Sequence, residues 1–330
     1  MRRHPDHLLP PPAVLTLDAL RQVQLQLAEL VQPVSARVDV PLPRAAGRVL
    51  ADDFPAAPAP TDAAPDAPAA AAPLIPLGTR LAARHLPLLA GSGHATASVL
   101  ARPRIGVMAL VGEGDAAPAR ARTGAVASAA WTVATLERLG AQPFEATCRS
   151  ACPRAFVSKL EMFVGECELV VVLGFLSPAQ CAAVRDAQER HGQPPRVETL
   201  RSRPFGALQL MQVGATLVVA LSADLDSAVA AFTTLLTPLV RRLQGRRDAL
   251  PEARAAELDA PRHRDDERWH VFPVRVDPGA LNARTCLAPC AGPDAAVALA
   301  GADGLAWHAT EFSSFERPTV AYFPFETWTQ

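Results

Sequence analysis

The sequence predicts an α/β protein, with a layered sheet domain between an N-terminal helical and extended segment and a small C-terminal β domain. Three observations carry this. Unbroken apolar runs at Ile105 to Leu110, Leu169 to Leu173 and Thr216 to Leu221 have the length of strands covered on both faces. Helix-like stretches alternate with them, as crossovers over a buried parallel sheet require. Beyond Arg268 the pattern changes to short strand-like segments.

The elements follow in order. Thr16 can cap a first helix whose apolar stripe is Leu20, Val23, Leu27, Leu30 and Val31, closed by Pro33. Residues 1–54 form this helix and an extended segment containing Gly47-Arg48-Val49-Leu50. Residues 55–73 are almost entirely Ala, Pro and Asp; they bury too little apolar surface to offset their ordering entropy and read as a linker. A connecting segment, 74–102, leads to the α/β domain at 103–246.

In that domain Val126, Ala130 and Val133 mark one face of a helix ended by Gly140. Ser177, Pro178 and Gln180 match a cap, a first-turn proline and a capping-box acceptor, with Gly192 as the stop. Leu225, Val229, Phe232, Leu235, Leu236, Leu239 and Leu243 stripe a long helix ending at Gly245. The charged stretch 247–268 reads as a second linker. In 269–330, Trp269 to Val276, Ala280 to Leu287 and Thr319 to Phe325 read as strands and Asp294 to Leu299 as a helix.

Bulk properties exclude several classes. A formal charge of −1 over 330 residues gives no basic field for nucleic acid. No apolar run reaches the roughly 18 residues of a membrane span, and the start lacks an apolar signal core; a cytoplasmic location is expected. Lys159 is the only lysine, so lysine chemistry has one candidate. The pairs Cys148/Cys152 and Cys286/Cys290 have C-x3-C spacing, wider than the usual zinc knuckle, and read as reduced thiols with no metal. Gly91-Ser92-Gly93-His94 follows a helix-like run, so it fails as a phosphate loop.

Collinear short motifs resemble one family. Pro76 to Gly114, PLGTRLAARHLPLLAGSGHATASVLARPRIGVMALVGEG, is similar to the MoeA/gephyrin stretch in which "G-x-x-L-x-x-x-x-x-x-x-L-A-x-x-G" leads into "R-P-R-V-x-V-x-S-T-G-D-E-L". Ala46 to Asp53 resembles its "A-L-G-R-V-L-A-E-D", and Ala300 to Leu305 its "A-x-A-N-G-L". The resemblance implies a three-layer, MogA-like molybdopterin-binding domain and a protein of molybdenum cofactor biosynthesis. The family reaction is molybdate insertion into an adenylylated pterin with release of AMP. It also implies self-association through the first segment, as a homodimer or paired with an intact paralogue.

Two departures stand out. The family's β-rich domain, introduced by "M-D-G-Y-A", is replaced here by the Ala/Pro stretch. Its "S-G-G-V-S-V-G-D-Y-D" loop is Leu173-Gly174-Phe175-Leu176-Ser177-Pro178-Ala179-Gln180-Cys181-Ala182, so only Gly174 and Ser177 persist, and the acidic positions for a divalent ion have become Gln180 and Ala182. "L-P-G-N-P-V-S-A" corresponds to Leu221 to Ala228, retaining Ser227 and placing Ser222 at the strand end; "K-P-G-K-P" leaves Arg203, and "T-G-D-E-L" leaves Glu113.

The ligand-contact candidates are therefore Glu113, Gly174, Ser177, Arg203, Ser222 and Ser227, for a molybdopterin-type ligand without magnesium. No catalytic residue is assigned. Each candidate has a plainer reading: Ser177 as a helix cap, Ser227 as a first-turn residue, Gly174 as a strand end, Glu113 and Arg203 as solvated charges. An accessory, binding protein with little or no insertion activity is the leading expectation. An active transferase with a rebuilt pocket, and an interaction scaffold without pterin affinity, are the alternatives.

Overall fold

A computed structural model describes residues 17–54, 73–111, 119–149, 152–195, 197–202, 206–250, 253–259, 270–277, 286–290, 294–308 and 319–325. Helix α1 (Leu17–Glu29) buries the expected stripe of Leu20, Val23, Leu27 and, just beyond it, Val31. Strand β1 (Arg37–Pro41), helix α2 (Leu86–Gly91) and strand β2 (Thr96–Leu100) follow, with β1 and β2 antiparallel. Leu42, Leu50, Leu81 and Val99 close a small core beneath them. Phe54 and Ile75 form a bridge, the Phe54 N–H donating to the Ile75 carbonyl at 2.8 Å, so the chain leaves this core and re-enters it at adjacent points.

The central sheet is built from β3 (Arg104–Val111), α3 (Ala119–Leu139), β4 (Gln142–Arg149), α4 (Pro153–Phe163), β5 (Leu169–Leu173), α5 (Pro178–Arg190), β6 (Glu198–Ser202), β7 (Gly206–Val213) and β8 (Thr216–Leu221). Its order is β4-β3-β5-β8-β7-β6, with the first four strands parallel and β7 and β6 antiparallel. Strand side chains alternate between two cores. Ile105, Val107, Val171 and Val219 pack with α1, α3 and the helices after β8, whereas Met108, Val170, Val172 and Val218 pack with α4 and α5. This alternation requires all-apolar strands, which is why the three runs are continuous.

Helix α3 differs from expectation. Its buried face is Ala125, Ser128, Ala129, Thr132, Leu136 and Leu139, whereas Val126 is 54% exposed and Ala130 faces solvent. Small residues allow the helix to approach the sheet closely, so the larger side chain marks the outer surface.

The helix after β8 is α6 (Leu225–Ala231), a π-helical turn at Phe232–Leu236, and α7 (Thr237–Leu243). The wide turn has an identifiable cause. Pro238 has no N–H to give the Thr234 carbonyl four residues back, and its ring crowds that carbonyl. Gln24 on α1 supplies the missing donor, its Nε2 lying 2.6 Å from the Thr234 oxygen. Both residues are buried.

The C-terminal part is a closed five-stranded barrel of β9 (Arg254–Leu258), β10 (His270–Val276), β11 (Cys286–Pro289), β12 (Gly304–His308) and β13 (Thr319–Pro324), in the order β10-β11-β9-β13-β12, with α8 (Ala295–Ala300) between β11 and β12. Strand β9 lies inside the stretch 247–268 that the sequence reads as linker. Its alternating Ala256 and Leu258 enter the barrel core with Val274, Leu287 and Tyr322. Closure needs a residue without a side chain at Gly304, where a Cβ would lie 2.4 Å from the Phe323 carbonyl oxygen. That requirement explains the glycine of the Ala300 to Leu305 motif. Leu225 and Val229 of α6 dock against Leu305, Val271 and Leu299 of the barrel half.

Candidate functional site

Order reversal in the sheet selects one place. From β3 the chain moves outward to β4 and then returns across β3 to β5, which opens a switch point between β3 and β5 at their carboxyl ends, where ligands of open α/β sheets bind. Four sequence candidates come together on this rim. Leu173 pairs with Leu221, and the Gly174 N–H donates to the Leu221 carbonyl at 2.8 Å, setting the loop with Gly174 and Ser177 beside the loop with Ser222 and Ser227. Glu113 and Arg203 lie outside the described residues.

Gly174 has φ +133°, and a Cβ there would sit 2.8 Å from the Leu110 Cβ. Only glycine lets the loop cross the end of β3 so closely. Phe175 then projects outward, 47% exposed, while Leu176 turns inward.

Three backbone donors of this loop already have partners. Besides Gly174, Leu176 N–H donates to Gln209 Oε1 at 2.9 Å and Ser177 N–H to Gln180 Oε1 at 2.8 Å. Ser177 Oγ accepts from the Gln180 N–H at 3.2 Å, completing the capping box of α5. A phosphate cradle needs N–H groups free to converge on oxygen. Here the N–H groups of Gly174, Leu176 and Ser177 are engaged within the protein. Ser177 is thus a cap, and Ser177→Ala should cost about 1 kcal/mol in chemical denaturation.

The tip of β8 is also closed upon itself. Asp224 N–H donates to Ser222 Oγ at 3.2 Å, and the Asp224 carboxylate accepts from the Ser227 N–H at 3.1 Å as the cap of α6. Ser128 on α3 donates to the Ala223 carbonyl at 3.1 Å, fixing the loop from the other side. A carboxylate therefore occupies the helix start where an anionic ligand would otherwise sit.

Asp226, whose side chain remains exposed in the first turn of α6, adds a second carboxyl, held above its usual range by partial desolvation and by the Asp224 charge. Since the folded state holds this proton more tightly than the unfolded chain, Asp226 favours folding below the unfolded pKa. That contribution is lost as pH rises through the folded value. Asp226→Asn should raise the melting temperature at neutral pH, with the gain vanishing toward about pH 3.

Outside the candidate set, the residues that shape this rim are Asp224, Asp226, Gln209 and Ser128; the resemblance places the last of these at a family polar pair. An aspartate directly before the apolar stripe beginning at Leu225 was the available signal for the cap. Gln209 had none, because it reaches the loop from β7.

Among the described residues, no group of three or more His, Cys, Asp or Glu side chains is placed to hold a metal ion. Cys148 and Cys286 are buried; Cys152 is exposed, and Cys290 Sγ lies 3.4 Å from the Gly301 carbonyl oxygen. Burial pushes the Cys148 and Cys290 thiols up. No helix among the described residues is long and apolar enough to cross a membrane.

No protein-family model and no curated protein matches the sequence. Solved structures do match. A molybdopterin biosynthesis MoeA protein from Pyrococcus horikosii superposes with a TM-score of 0.66 at 14% identity, over 95% of this chain and 99% of that one. A molybdenum cofactor biosynthesis protein from Pyrococcus furiosus gives a TM-score of 0.65 at 16% identity, over 92% and 98% of the respective chains. Along nearly its whole length, this chain has the fold of MoeA molybdopterin biosynthesis proteins.

Proposed function

We propose that this chain is a MoeA-like protein of molybdenum cofactor biosynthesis that binds a molybdopterin-type ligand and has lost most or all molybdenum-insertion activity. In this reading the central sheet with its two helical coverings is the three-layer, MogA-like domain, and the barrel is the small C-terminal domain. The family's β-rich domain would have departed between Phe54 and Ile75, whose bridge brings the two ends of that stretch together.

The observation that carries the reading is the engagement of the loop donors. A rim whose Gly174, Leu176 and Ser177 N–H groups are already bonded, and whose neighbouring helix start holds Asp224, has little left to stabilise transferring anionic groups. In group transfer of this kind most of the rate enhancement comes from preorganised donors, and each one lost costs about 3 kcal/mol of transition-state stabilisation. Glu113 and Arg203 are the charged groups proposed to contact ligand, and a dimer, with itself or with an intact paralogue, is the proposed assembly in the cytoplasm.

Two measurements on purified protein test this. Molybdopterin should bind saturably by fluorescence titration, and adenylylated molybdopterin with molybdate should yield no insertion above the uncatalysed rate. Turnover at a normal enzymatic rate would restore the transferase reading. Absence of pterin binding would leave an interaction scaffold.

A further inference from the structure

Two of the cysteines meet where the central sheet gives way to α4. Cys148, the next-to-last residue of β4, is 2% exposed, and its side chain enters the core that Phe156 and Leu160 of α4 share. Cys152 is exposed and caps that same helix. The Phe156 N–H donates to its carbonyl at 3.0 Å, while its side chain makes no cap bond. The strand therefore turns one thiol toward the helix that the other thiol starts. Lys159, the only lysine of the chain, ties the two elements together by donating from Nζ to the Thr147 carbonyl. Burial is the largest influence on the Cys148 thiol and pushes it up; the Lys159 ammonium pulls it back, and the Cys152 sulfur pushes it up again. The two sulfurs and the ammonium thus lie within electrostatic reach of one another. Both thiols are reduced in this structure.

We propose that Cys148 and Cys152 are a redox modification site, closing to a reversible disulfide between the end of β4 and the start of α4. This does not depend on what the rim binds. The oxidant is a peroxide, which meets the exposed sulfur first. The Cys152 thiolate attacks one peroxide oxygen and the O–O bond breaks. Hydroxide leaves, takes up the proton that the thiol released and becomes water, and Cys152 is left as a sulfenic acid. The Cys148 sulfur then attacks the Cys152 sulfur. The S–S bond forms, the S–O bond breaks, and a second water departs with the Cys148 proton. The dithiol has lost two electrons and hydrogen peroxide has become two waters. The Lys159 ammonium assists the second step by favouring the Cys148 thiolate. Closing so short a ring restrains the unfolded chain less than a long-range disulfide does, so the bond suits switching more than bracing. Cys148 pairs with Leu110 of β3, the residue that the Gly174 loop crosses, so the linkage forms one strand from the rim.

Peptide mapping of the full chain tests the assignment. The folded protein is treated with about one equivalent of hydrogen peroxide, remaining thiols are alkylated, and the product is digested with trypsin. Trypsin cuts after Arg149, between the two cysteines, so the disulfide would hold peptides 139–149 and 150–154 together, two hydrogens lighter than their sum. The expected result is this linked pair, separated again by dithiothreitol. Cys148→Ala should stop at a Cys152 sulfenic acid that dimedone captures. In Cys152→Ala, Cys148 should be oxidised about tenfold more slowly, because the exposed sulfur is gone. Lys159→Met should slow closure about threefold, and Lys159→Arg, which keeps the charge, should restore the rate. Oxidation of Cys152 to the sulfinic acid with Cys148 left reduced would overturn the proposal, as would linkage of Cys152 to any other cysteine or a linked pair seen only after denaturation. Equal closure rates in wild type and Lys159→Met would overturn the lysine's part. Should a variant fail to fold, the wild-type map decides alone.

Discussion

Gly174→Ala should destabilise the protein by about 3 kcal/mol in urea denaturation, the sum of an unfavourable positive φ and an overpacked contact. The added methyl would meet the Leu110 Cβ at 2.8 Å, so relief requires the ends of β3 and β5 to separate. The origin of the strain can be checked separately. Leu110→Ala keeps the nearest atom, its Cβ, and should therefore rescue little of the loss. Substantial rescue by Leu110→Ala would place the clash farther along the leucine side chain.

Gln24→Leu should cost about 2 kcal/mol although it changes little volume, because it strands the Thr234 carbonyl inside the protein. The effect depends on Pro238. In a Pro238→Ala background the helix can supply its own N–H to Thr234, and the Gln24→Leu penalty should fall below about 1 kcal/mol. Equal penalties in the two backgrounds would show that Gln24 acts through packing. Melting curves of the four proteins of this cycle provide the measurement.

Legibility in the sequence followed burial. Leu169–Leu173 and Thr216–Leu221 could be read to the residue because both their faces are covered, leaving no polar position to interrupt the run. Helix α5 could be read from its caps. Strand β4 could not: it is an edge strand, open on one side, and tolerates Pro143 and Glu145, which argue locally against a strand. Strand β6, at the other edge, was hidden for a similar reason by Glu198 and Arg201, and β9, although paired on both sides within the barrel, reads as linker because of Arg254 and Glu257. On α3 the abundance of alanine removes the contrast between faces, so Val126 reads as core although it lies outside.

The rim shows the same division. Motif order was enough to place Gly174, Ser177, Ser222 and Ser227, because they follow strand ends that neighbour one another. The state of their hydrogen bonds was not legible, since the deciding partners, Gln209 from β7 and Ser128 from α3, lie 33 and 95 residues away.

The clasp between Phe54 and Ile75 has an architectural consequence. With its two stems fastened to each other by the Phe54 N–H, the N-terminal core cannot sense how much polypeptide is threaded between them. An engineered insert between these stems should therefore be accepted without altering the rest of the molecule.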